Sequence, residues 1–598
     1  MKLSALYSNK PQIFEPISFI SNLNVVLAEI RLPENKQKNT HNLGKTILGR
    51  LIDFCFLSTP KESFFLKKHR EFFKEFIFFM EIELFDNTFA TVRRSVIEPT
   101  KISFKKHLYG KQDFTMLSES SWDHLNIPMD KAKKYLDGLL DLSSMKEWSY
   151  RYGLDYLLRS QEDYNDVFQL RKYVYKQSSW KPYLAHVLGF NDKLIQEHYN
   201  KEAHLSDKRK SEEIIKKELA DSDDNLSEVE GKLFLKQKDV EKKQKLLDTF
   251  DFREQDKEKT KQLVDEINES IASLNTERYY LMQNKKKIDA SLNETQILFN
   301  PDEAQQLFEE VGLFFPDQIK RDFVQLIEFN RAITQERKGY LIEERKEIDN
   351  RLKDINNELN NLGKRSSEIL LFLGESEAFN KYKQLSNDLV ILKTDMASLE
   401  HHRKELLRLQ ELRKEIRILE NEKQQLQTLI EEDIEKQNSD KNSLFYFIRR
   451  YFNEIIEEII DREALLTVKT NKEGHIEFKA DILDDIDNTT SADKGHTYKK
   501  LLCIAFDMAV LFAHSQIKFL RFVFHDGVFE SFDDRIKEKL LYEIRRYSDF
   551  GIQHIITLND SDLPAHFLPD ESMFDDSEII LKLHDEDERG RLFKMPTW

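Results

Sequence analysis

Apolar side chains recur at alternating intervals of three and four residues through the middle of the chain. The repeats run through Ile267, Ile271, Leu274 and Leu281, through Ile348, Leu352, Ile355, Leu359 and Leu362, and through Leu409, Leu412, Ile416, Leu419 and Leu426. Arg278 and Lys423 stand at interrupted core positions. This spacing places an apolar seam along each helix and predicts a coiled coil. A charged disordered linker, the alternative, would show no such seam.

Between the two heptad regions, residues 298–323 (LFNPDEAQQLFEEVGLFFPDQIKRDF) carry two prolines, a glycine and several phenylalanines. Proline and glycine end helices, so the chain is predicted to turn here and return as an antiparallel hairpin. Breaks at 246–257 and from Gly363 to Phe379 lie at similar distances from this turn and predict a joint.

The two ends of the chain have the mixed composition of globular domains. We therefore predict an α/β head assembled from two halves, with the hairpin inserted between them. The predicted domains are an N-terminal half (1–204), an ascending arm (205–297), a tip (298–334), a descending arm (335–440) and a C-terminal half (441–598). In the last, LLTVKTNKEGHIEFKADI alternates around NKEG and predicts a β-hairpin.

The segment NTHNLGKTILGRLIDFCFL, residues 39–57, contains a candidate phosphate-binding loop. A P-loop reads G-x-x-x-x-G-K-[ST] between a strand and a helix. Here Gly44, Lys45 and Thr46 are intact, and Asn39, which tolerates positive φ, replaces the first glycine. The apolar run NLNVVLAEIRL before it and the apolar helix face after it favour a P-loop over a chance GKT. Lys45 would contact the β- and γ-phosphates, Thr46 would bind Mg²⁺, and backbone N–H groups from Asn42 to Thr46 would surround the phosphates.

A second half-site is predicted near the C-terminus. Residues 522–524 form a short apolar strand that ends in Asp526, which is suited to hold Mg²⁺ as a Walker B aspartate. A buried strand that ends in an Asp turn is common in α/β proteins, so this segment alone does not distinguish a Walker B aspartate from an ordinary strand end. The upstream sequence favours the first. There a loop with Ser491, Lys494 and Gly495 opens a long apolar helix, and loops of this kind can hold phosphate.

The composition limits the class of protein. Charged residues make up 33% of the 598 residues, against about 25% in ordinary domains, and 16 Gly and 12 Pro allow few turns. The net charge of −16 argues against a uniformly basic nucleic-acid coat. Cys55 and Cys503 form no CxxC pair, which disfavours a zinc site of that kind and a disulfide framework. With no signal-peptide pattern and no bilayer-length apolar run, we expect a cytoplasmic protein.

The chain resembles ABC ATPases of the SMC and DNA-repair class in the order of its motifs, which are a P-loop, a coiled-coil hairpin, a signature-like loop and a Walker B strand. NTHNLGKTILGRLIDFCFL, SADKGHTYKKLL (491–502) and HDGVFESFDDR (525–535) are similar, more narrowly, to SMC-like proteins of bacterial conflict and antiphage systems of the Lamassu-like or ABC three-component type. The architecture matches over the whole chain, whereas the motifs are specific only in the two head halves.

This resemblance implies an ABC-type head that dimerises around two ATP molecules with Mg²⁺. One head would present Lys45, Thr46 and Asp526 to the signature-like loop of the other. Gln161, in YLLRSQEDY, is the candidate Q-loop residue, and Asp533 is a further candidate for contact with the nucleotide.

Two positions depart from the family pattern. ABC ATPases place a catalytic glutamate directly after the Walker B aspartate, but that position here is Gly527, and Glu530 is the candidate replacement. The switch histidine expected after the strand HIITL is Asn559. Both changes predict slow hydrolysis and a long-lived ATP-bound dimer.

DNA is the partner that the resemblance implies. Basic clusters occur in FLKKHR (65–70), at Arg93-Arg94, in KISFKKHLYGK (101–111) and at Arg449-Arg450, although solvated strand edges would look the same. The preferred hypothesis is a DNA sensor that controls a separate effector, such as a nuclease, with a small accessory subunit. The alternatives are a DNA-repair or chromosome-organising ATPase, and a structural coiled-coil protein with a degenerate nucleotide site.

Overall fold

The computed structural model describes residues 1–32, 43–59, 62–173, 177–219, 225–249, 255–293, 317–372, 377–483, 496–564, 573–596 and 598. The chain divides into two compact units. Unit 1 combines residues 1–202 with residues 422–598, and unit 2 comprises residues 203–421.

The described strands are β1 Lys2–Ser8, β2 Ile17–Ser18, β3 Leu23–Glu29, β4 Ile77–Glu83, β5 Phe89–Ser95, β6 Lys101–His107, β7 His124–Pro128, β8 Leu158–Arg159, β9 Ala464–Thr470, β10 Ile476–Ile482, β11 Phe522–His525, β12 Gln553–Asn559 and β13 Ile579–His584. The described α-helices are α1 Lys45–Cys55, α2 Phe65–Lys68, α3 Arg70–Phe73, α4 Met129–Leu140, α5 Tyr150–Leu157, α6 Gln177–Val187, α7 Asp192–Leu219, α8 Leu226–Asp248, α9 Gln255–Asn293, α10 Asp317–Phe372, α11 Glu377–Ser439, α12 Leu444–Ile460, α13 His496–Ala513 and α14 Asp534–Asp549.

A parallel sheet of five described strands, in the order β13-β3-β12-β11-β8, forms the centre of unit 1. It joins residues from both ends of the chain: β3 and β8 come from the first 160 residues and the other three strands follow residue 520. Strands β11 and β12 are almost wholly buried, which explains why they read as continuous apolar runs. Helix α1 lies so close to β11 that a Cβ on Gly49 would stand 2.6 Å from the Phe524 ring.

A second, antiparallel sheet of six strands follows the order β2-β1-β4-β5-β6-β7. It accounts for many of the aromatic residues near the N-terminus, since Phe14, Phe76, Phe78 and Phe593 pack together beneath it. The sequence analysis did not predict this sheet. The hairpin predicted around NKEG is present as β9 and β10, and Gly474 turns between them with φ +82°.

Unit 2 consists of long helices that pair in antiparallel fashion. Ion pairs of 2.5–2.6 Å join Arg209 to Glu420, Lys236 to Asp395 and Lys285 to Asp349, so partner numbers fall as residue numbers rise. Apolar heptad positions are buried along these helices, among them Ile267, Ile348, Ile355, Leu409, Leu412 and Ile416. The predicted coiled-coil character of the helices is therefore confirmed.

The predicted joint is only partly where the sequence placed it. Helix α8 ends at Asp248, within the predicted break, but α10 continues through Gly363 to Phe372, so that glycine does not end a helix. A cluster of Leu247, Val264, Leu370, Tyr382 and Leu389 is buried there. Residues 317–334 of the predicted tip are helical, and residues 298–316 lie outside the described residues.

No described helix is both long and apolar enough to cross a membrane. Cys55 and Cys503 are buried free thiols.

Candidate functional site

The carboxyl ends of the parallel strands in unit 1 carry most of the described candidate residues. Asp526 directly follows β11, Asn559 ends β12, and Gln161 opens a short 3₁₀ helix after β8. Helix α1, with Lys45 and Thr46 in its first turn, follows β3 along the chain. In open α/β sheets, ligands bind outside these strand ends.

Gly44 begins helix α1 in a conformation that requires glycine. Its φ of +105° is left-handed, and a Cβ there would stand 2.6 Å from the Cβ of Leu592. Among the described residues no side chain caps this helix, so its first backbone N–H groups can bind an anion. A left-handed glycine before an uncapped helix N-terminus is compatible with phosphate binding.

Thr46 and Asp526 meet although 480 residues separate them along the chain. The Thr46 hydroxyl donates to Asp526 Oδ2 at 2.6 Å, and the Thr557 hydroxyl donates to Oδ1 at 2.6 Å. Thr557 in turn accepts a hydrogen bond from the Gly527 N–H at 2.9 Å. A fully buried carboxylate and a hydroxyl are thereby held side by side, as a pair of oxygen ligands of the type that Mg²⁺ prefers.

The Lys45 ammonium points at the end of β12 and donates to Asn559 Oδ1. Asn559 is itself fixed, because its backbone N–H and its side-chain amide both donate to Asp562 at 3.0 Å. Burial lowers the pKa of Lys45, and the carboxylates of Glu530, Asp526, Asp562 and Asp560 oppose that shift. The amide at the predicted switch position therefore contacts the lysine of the phosphate loop directly.

Glu530 lies over Gly527, the position at which the family pattern places its glutamate. A Cβ on Gly527 would stand 2.8 Å from the Glu530 carboxyl carbon and 2.6 Å from Gln161 Nε2. Gln161 Nε2 donates to Glu530 Oε1 at 2.7 Å. Burial raises the pKa of Glu530, although Lys500 and Lys45 draw it down. The carboxyl group thus occupies the space that a side chain at position 527 would otherwise take.

A buried charge pair beneath the site joins three of its elements. Arg159 of β8 donates to both oxygens of Asp507 on α13, at 2.7 and 2.8 Å, and His525 of β11 lies 3.2 Å from the same carboxylate. Burial acts to raise the pKa of Asp507, but Arg159 and His525 hold it below its ordinary value. Arg159 also donates to the carbonyl oxygens of Asp163 and Val167 and so anchors the segment that carries Gln161.

The sequence analysis missed Arg159, Asp507, Thr557 and Lys500. Asp507 offered a signal, since it is the one charge within LLCIAFDMAVLF, and a carboxylate in a buried helix needs a partner. Nothing in the sequence identifies that partner, because Arg159 lies 348 residues away.

Of the remaining predicted site residues, only Asp533 is described, and it has a structural role at a helix end. Asp533 is the N-cap of α14 and accepts a hydrogen bond from the Ile536 N–H at 3.1 Å. Asn39, Asn42, Ser491, Lys494 and Gly495 lie outside the described residues.

Comparisons with known proteins give one family and several solved structures. Residues 455–597 match a family described as "Uncharacterised protein conserved in bacteria (DUF2326)". No curated protein sequence matches the chain.

Two similar structures are SMC head domains from archaea. One, from Pyrococcus yayanosii with a coiled coil and joint, is 14% identical, with 93% of this chain and 92% of that chain covered and a TM-score of 0.33. The other, from Pyrococcus furiosus with an extended coiled coil bound to the C-terminal domain of ScpA, is 11% identical, with coverages of 94% and 92% and a TM-score of 0.31.

The basic segments are less available than the sequence suggests. Arg94 is fully buried, with its guanidinium 4.0 Å from the centre of the Phe54 ring and hydrogen-bonded to the Pro99 carbonyl. The prediction that Arg94 is a surface contact for DNA is therefore wrong, since this side chain fills a core position beside helix α1. Lys101, Lys105 and Lys106 form ion pairs with Glu98, Asp123 and Asp86 at 2.6–2.9 Å.

Proposed function

We propose that this chain is an SMC-like ATPase whose unit 1 binds and hydrolyses ATP with Mg²⁺. The observation that carries the proposal is the contact of Thr46 with Asp526 at 2.6 Å, beside the partly buried Lys45 and behind a left-handed Gly44. A structural protein with a relic GKT has no need to join these residues from opposite ends of the chain. This disfavours the degenerate-site alternative.

The donor set fits a magnesium nucleotide. Lys45 would bind the β- and γ-phosphates, the first-turn N–H groups of α1 would bind phosphate oxygens, and Thr46 and Asp526 would hold Mg²⁺. The ion, when bound, neutralises charge on the phosphates and so favours attack by water. The side chains of the protein would orient the phosphates and the attacking water.

Glu530 is the proposed general base. Its carboxyl group lies against Gly527, the residue after Asp526, and hydrogen bonding to Gln161 orients it. Asn559 replaces the histidine at the switch position and cannot carry a proton at neutral pH. Slow turnover and a long-lived ATP-bound dimer follow, which suits a switch better than a motor.

The wider role is a DNA sensor that dimerises through its heads and controls a partner effector, such as a nuclease, in antiphage defence. Its support is the likeness of the motifs around Lys45, Asp526 and the loop at 491–495 to SMC-like defence proteins. The ion pairs of Lys101 and Lys106 are half exposed and of a kind worth about 0–1 kcal/mol, so DNA phosphates can replace their carboxylates. A DNA-repair or chromosome-organising ATPase with repeated turnover is the competing role.

The proposal is tested by ATP turnover of the full-length protein with linear DNA, with circular DNA and without DNA, together with its mass in solution with and without ATP. Slow turnover, an ATP-dependent dimer and a response to one DNA form are expected. Fast turnover in every condition would favour the competing motor role. No turnover and no ATP-dependent change in mass would overturn the proposal.

A further inference from the structure

Lys500 is a buried lysine on helix α13 whose ammonium binds backbone carbonyls of the segment that carries Glu530. Its side chain is 2% exposed, and its ammonium donates to the carbonyl oxygens of Gly527 at 2.7 Å and Glu530 at 3.1 Å. The rings of Tyr164 and Phe532 lie 5.1 and 5.8 Å from the ammonium. Burying an ammonium is unfavourable unless hydrogen bonds compensate it, and here both acceptors among the described residues belong to one turn.

That turn is the segment from Gly527 to Ser531, which has an unusual backbone. Gly527 and Ser531 have φ values of +64° and +70°, so a left-handed residue stands at each end. Left-handed conformations of non-glycine residues are costly and persist where the surroundings hold them. The two carbonyl oxygens that Lys500 binds are those of the first residue of this turn and of Glu530 itself.

The shape of the turn decides where the Glu530 carboxyl lies. Because Glu530 is three residues beyond Gly527, only a folded turn returns its carboxyl to the space above the Gly527 Cα. Lys500 and Gln161 hold this residue from opposite ends, the lysine through the backbone and the glutamine through the carboxylate.

We propose that Lys500 is a positioning residue: it holds the turn at 527–531 so that the Glu530 carboxyl lies against Gly527, the residue after Asp526. This inference rests on the proposed ATPase function and deepens it. Lys500 acts through Glu530 and is not assigned a contact with the nucleotide. Because Lys500 lies on α13, a movement of that helix would also displace Glu530, the proposed general base.

The test compares Lys500→Met with Lys499→Met, a matched change at the neighbouring, half-exposed position of the same helix. We expect Lys500→Met to lower kcat about 100-fold, because small misplacements of a catalytic group cost that much, with the Kd for ATP changed less than threefold. Amide hydrogen exchange of residues 527–532 should quicken in the nucleotide-free protein. Lys499→Met should change neither kcat nor the hydrogen exchange of residues 527–532, and the Kd for ATP should also stay the same.

A double-mutant cycle distinguishes positioning from general damage. If Lys500 acts through Glu530, adding Lys500→Met to Glu530→Gln lowers kcat by less than threefold further. Additive losses, or an unchanged kcat and hydrogen exchange in Lys500→Met, would overturn the inference. Absence of ATP binding in the unaltered protein would instead overturn the proposed function.

Should Lys500→Met fail to fold, Gly527→Ala disturbs the same turn from the other side. Its Cβ would stand 2.6 Å from Gln161 Nε2 and 2.8 Å from the Glu530 carboxyl. A loss of kcat with retained ATP affinity supports the clamped turn, and wild-type kcat contradicts it.

Discussion

At the scale of single residues, the position of a carboxylate in space matters more than its position in the sequence motif. Gly527 leaves the position after Asp526 without a side chain, and Glu530 fills the space from three residues away. A left-handed φ of +64° at 527 would strain a glutamate at that position. The glycine at position 527 and the position of the Glu530 carboxyl are therefore linked, because a side chain at 527 would occupy the same space.

Replacing Glu530 by Gln is expected to lower kcat at least 100-fold and to leave the Kd for ATP nearly unchanged. The amide retains the size of the side chain but cannot accept the proton of the attacking water. Single-turnover kinetics and equilibrium binding measure the two quantities.

Glu162→Gln is the matched control, since Glu162 is an exposed neighbour of Gln161 that pairs with Arg171. Equal kcat in Glu530→Gln and the unaltered protein would assign the base to another group.

At the scale of elements, the buried pair of Arg159 and Asp507 joins β8 to α13. Arg159→Met should destabilise the protein by about 3–5 kcal/mol, because it leaves the carboxylate of Asp507 buried without the guanidinium that neutralises its charge. Urea unfolding measures the change. Arg159→Met combined with Asp507→Leu should recover part of the loss.

Arg171→Met removes an exposed pair and serves as the control, with an expected change below about 1 kcal/mol. A loss no larger for Arg159→Met than for Arg171→Met would show that the buried pair is not structurally important.

His554 makes the stability of the central sheet dependent on pH. It lies fully buried in β12, its Nδ1 is 3.0 Å from the Ser548 hydroxyl, and burial lowers its pKa to about 3, with His525 adding to the effect. Between pH 6.5 and pH 3 this histidine is therefore protonated in the unfolded chain, where its pKa is near 6.5, but neutral in the folded protein. Stability is retained above pH 6.5 and is lost as the pH falls towards 3, by about 2 kcal/mol at pH 5.

Urea unfolding at pH 7 and pH 5 tests this dependence. His554→Gln should reduce the difference between the two pH values, whereas His204→Gln, on the exposed side of α7, should leave it unchanged. Equal pH dependence in all three proteins would mean that His554 is not the group responsible.

Elements with a local signal could be predicted, and contacts between distant segments could not. Strand β3, helix α1, strand β11 and the β9–β10 hairpin follow from apolar patterning and turn residues. The antiparallel sheet was missed because β4 reads as an apolar run without a clear period, whereas β5 (FATVRRS) contains two arginines and shows no regular alternation. Arg94 was assigned to the surface because sequence alone does not show that a guanidinium packs on an aromatic ring.

At the scale of the whole molecule, residues from both ends of the chain complete one sheet in unit 1, while unit 2 holds the long paired helices. The pairing within unit 2 has a definite register, since Asn268 on α9 donates to Ser386 on α11 and Tyr382 donates to Asp265 at 2.6 Å. An antiparallel hairpin requires such cross-helix pairs.

Cysteines at positions 268 and 386 are expected to form an intramolecular disulfide under mild oxidation, because the two side chains are in contact. The native Cys55 and Cys503 are buried and should not compete. Electrophoretic mobility without reductant measures the product.

In the control protein, cysteines are placed at positions 268 and 407. Position 407 lies about 30 Å beyond position 386 on helix α11. Crosslinking of 268 with 407 as efficient as that with 386 would contradict the register.

The most direct test of the nucleotide site is the affinity of the full-length protein for ATP with Mg²⁺, measured by calorimetry in the unaltered protein and in Lys45→Ala. Lys67→Ala, which removes an exposed pair with Glu62, is the control. We predict saturable binding that Lys45→Ala weakens roughly 10- to 100-fold, as expected for loss of a charged hydrogen bond to phosphate, and that Lys67→Ala leaves unchanged. No binding by the unaltered protein, or equal affinity in Lys45→Ala, would contradict an ATP site at the end of this sheet.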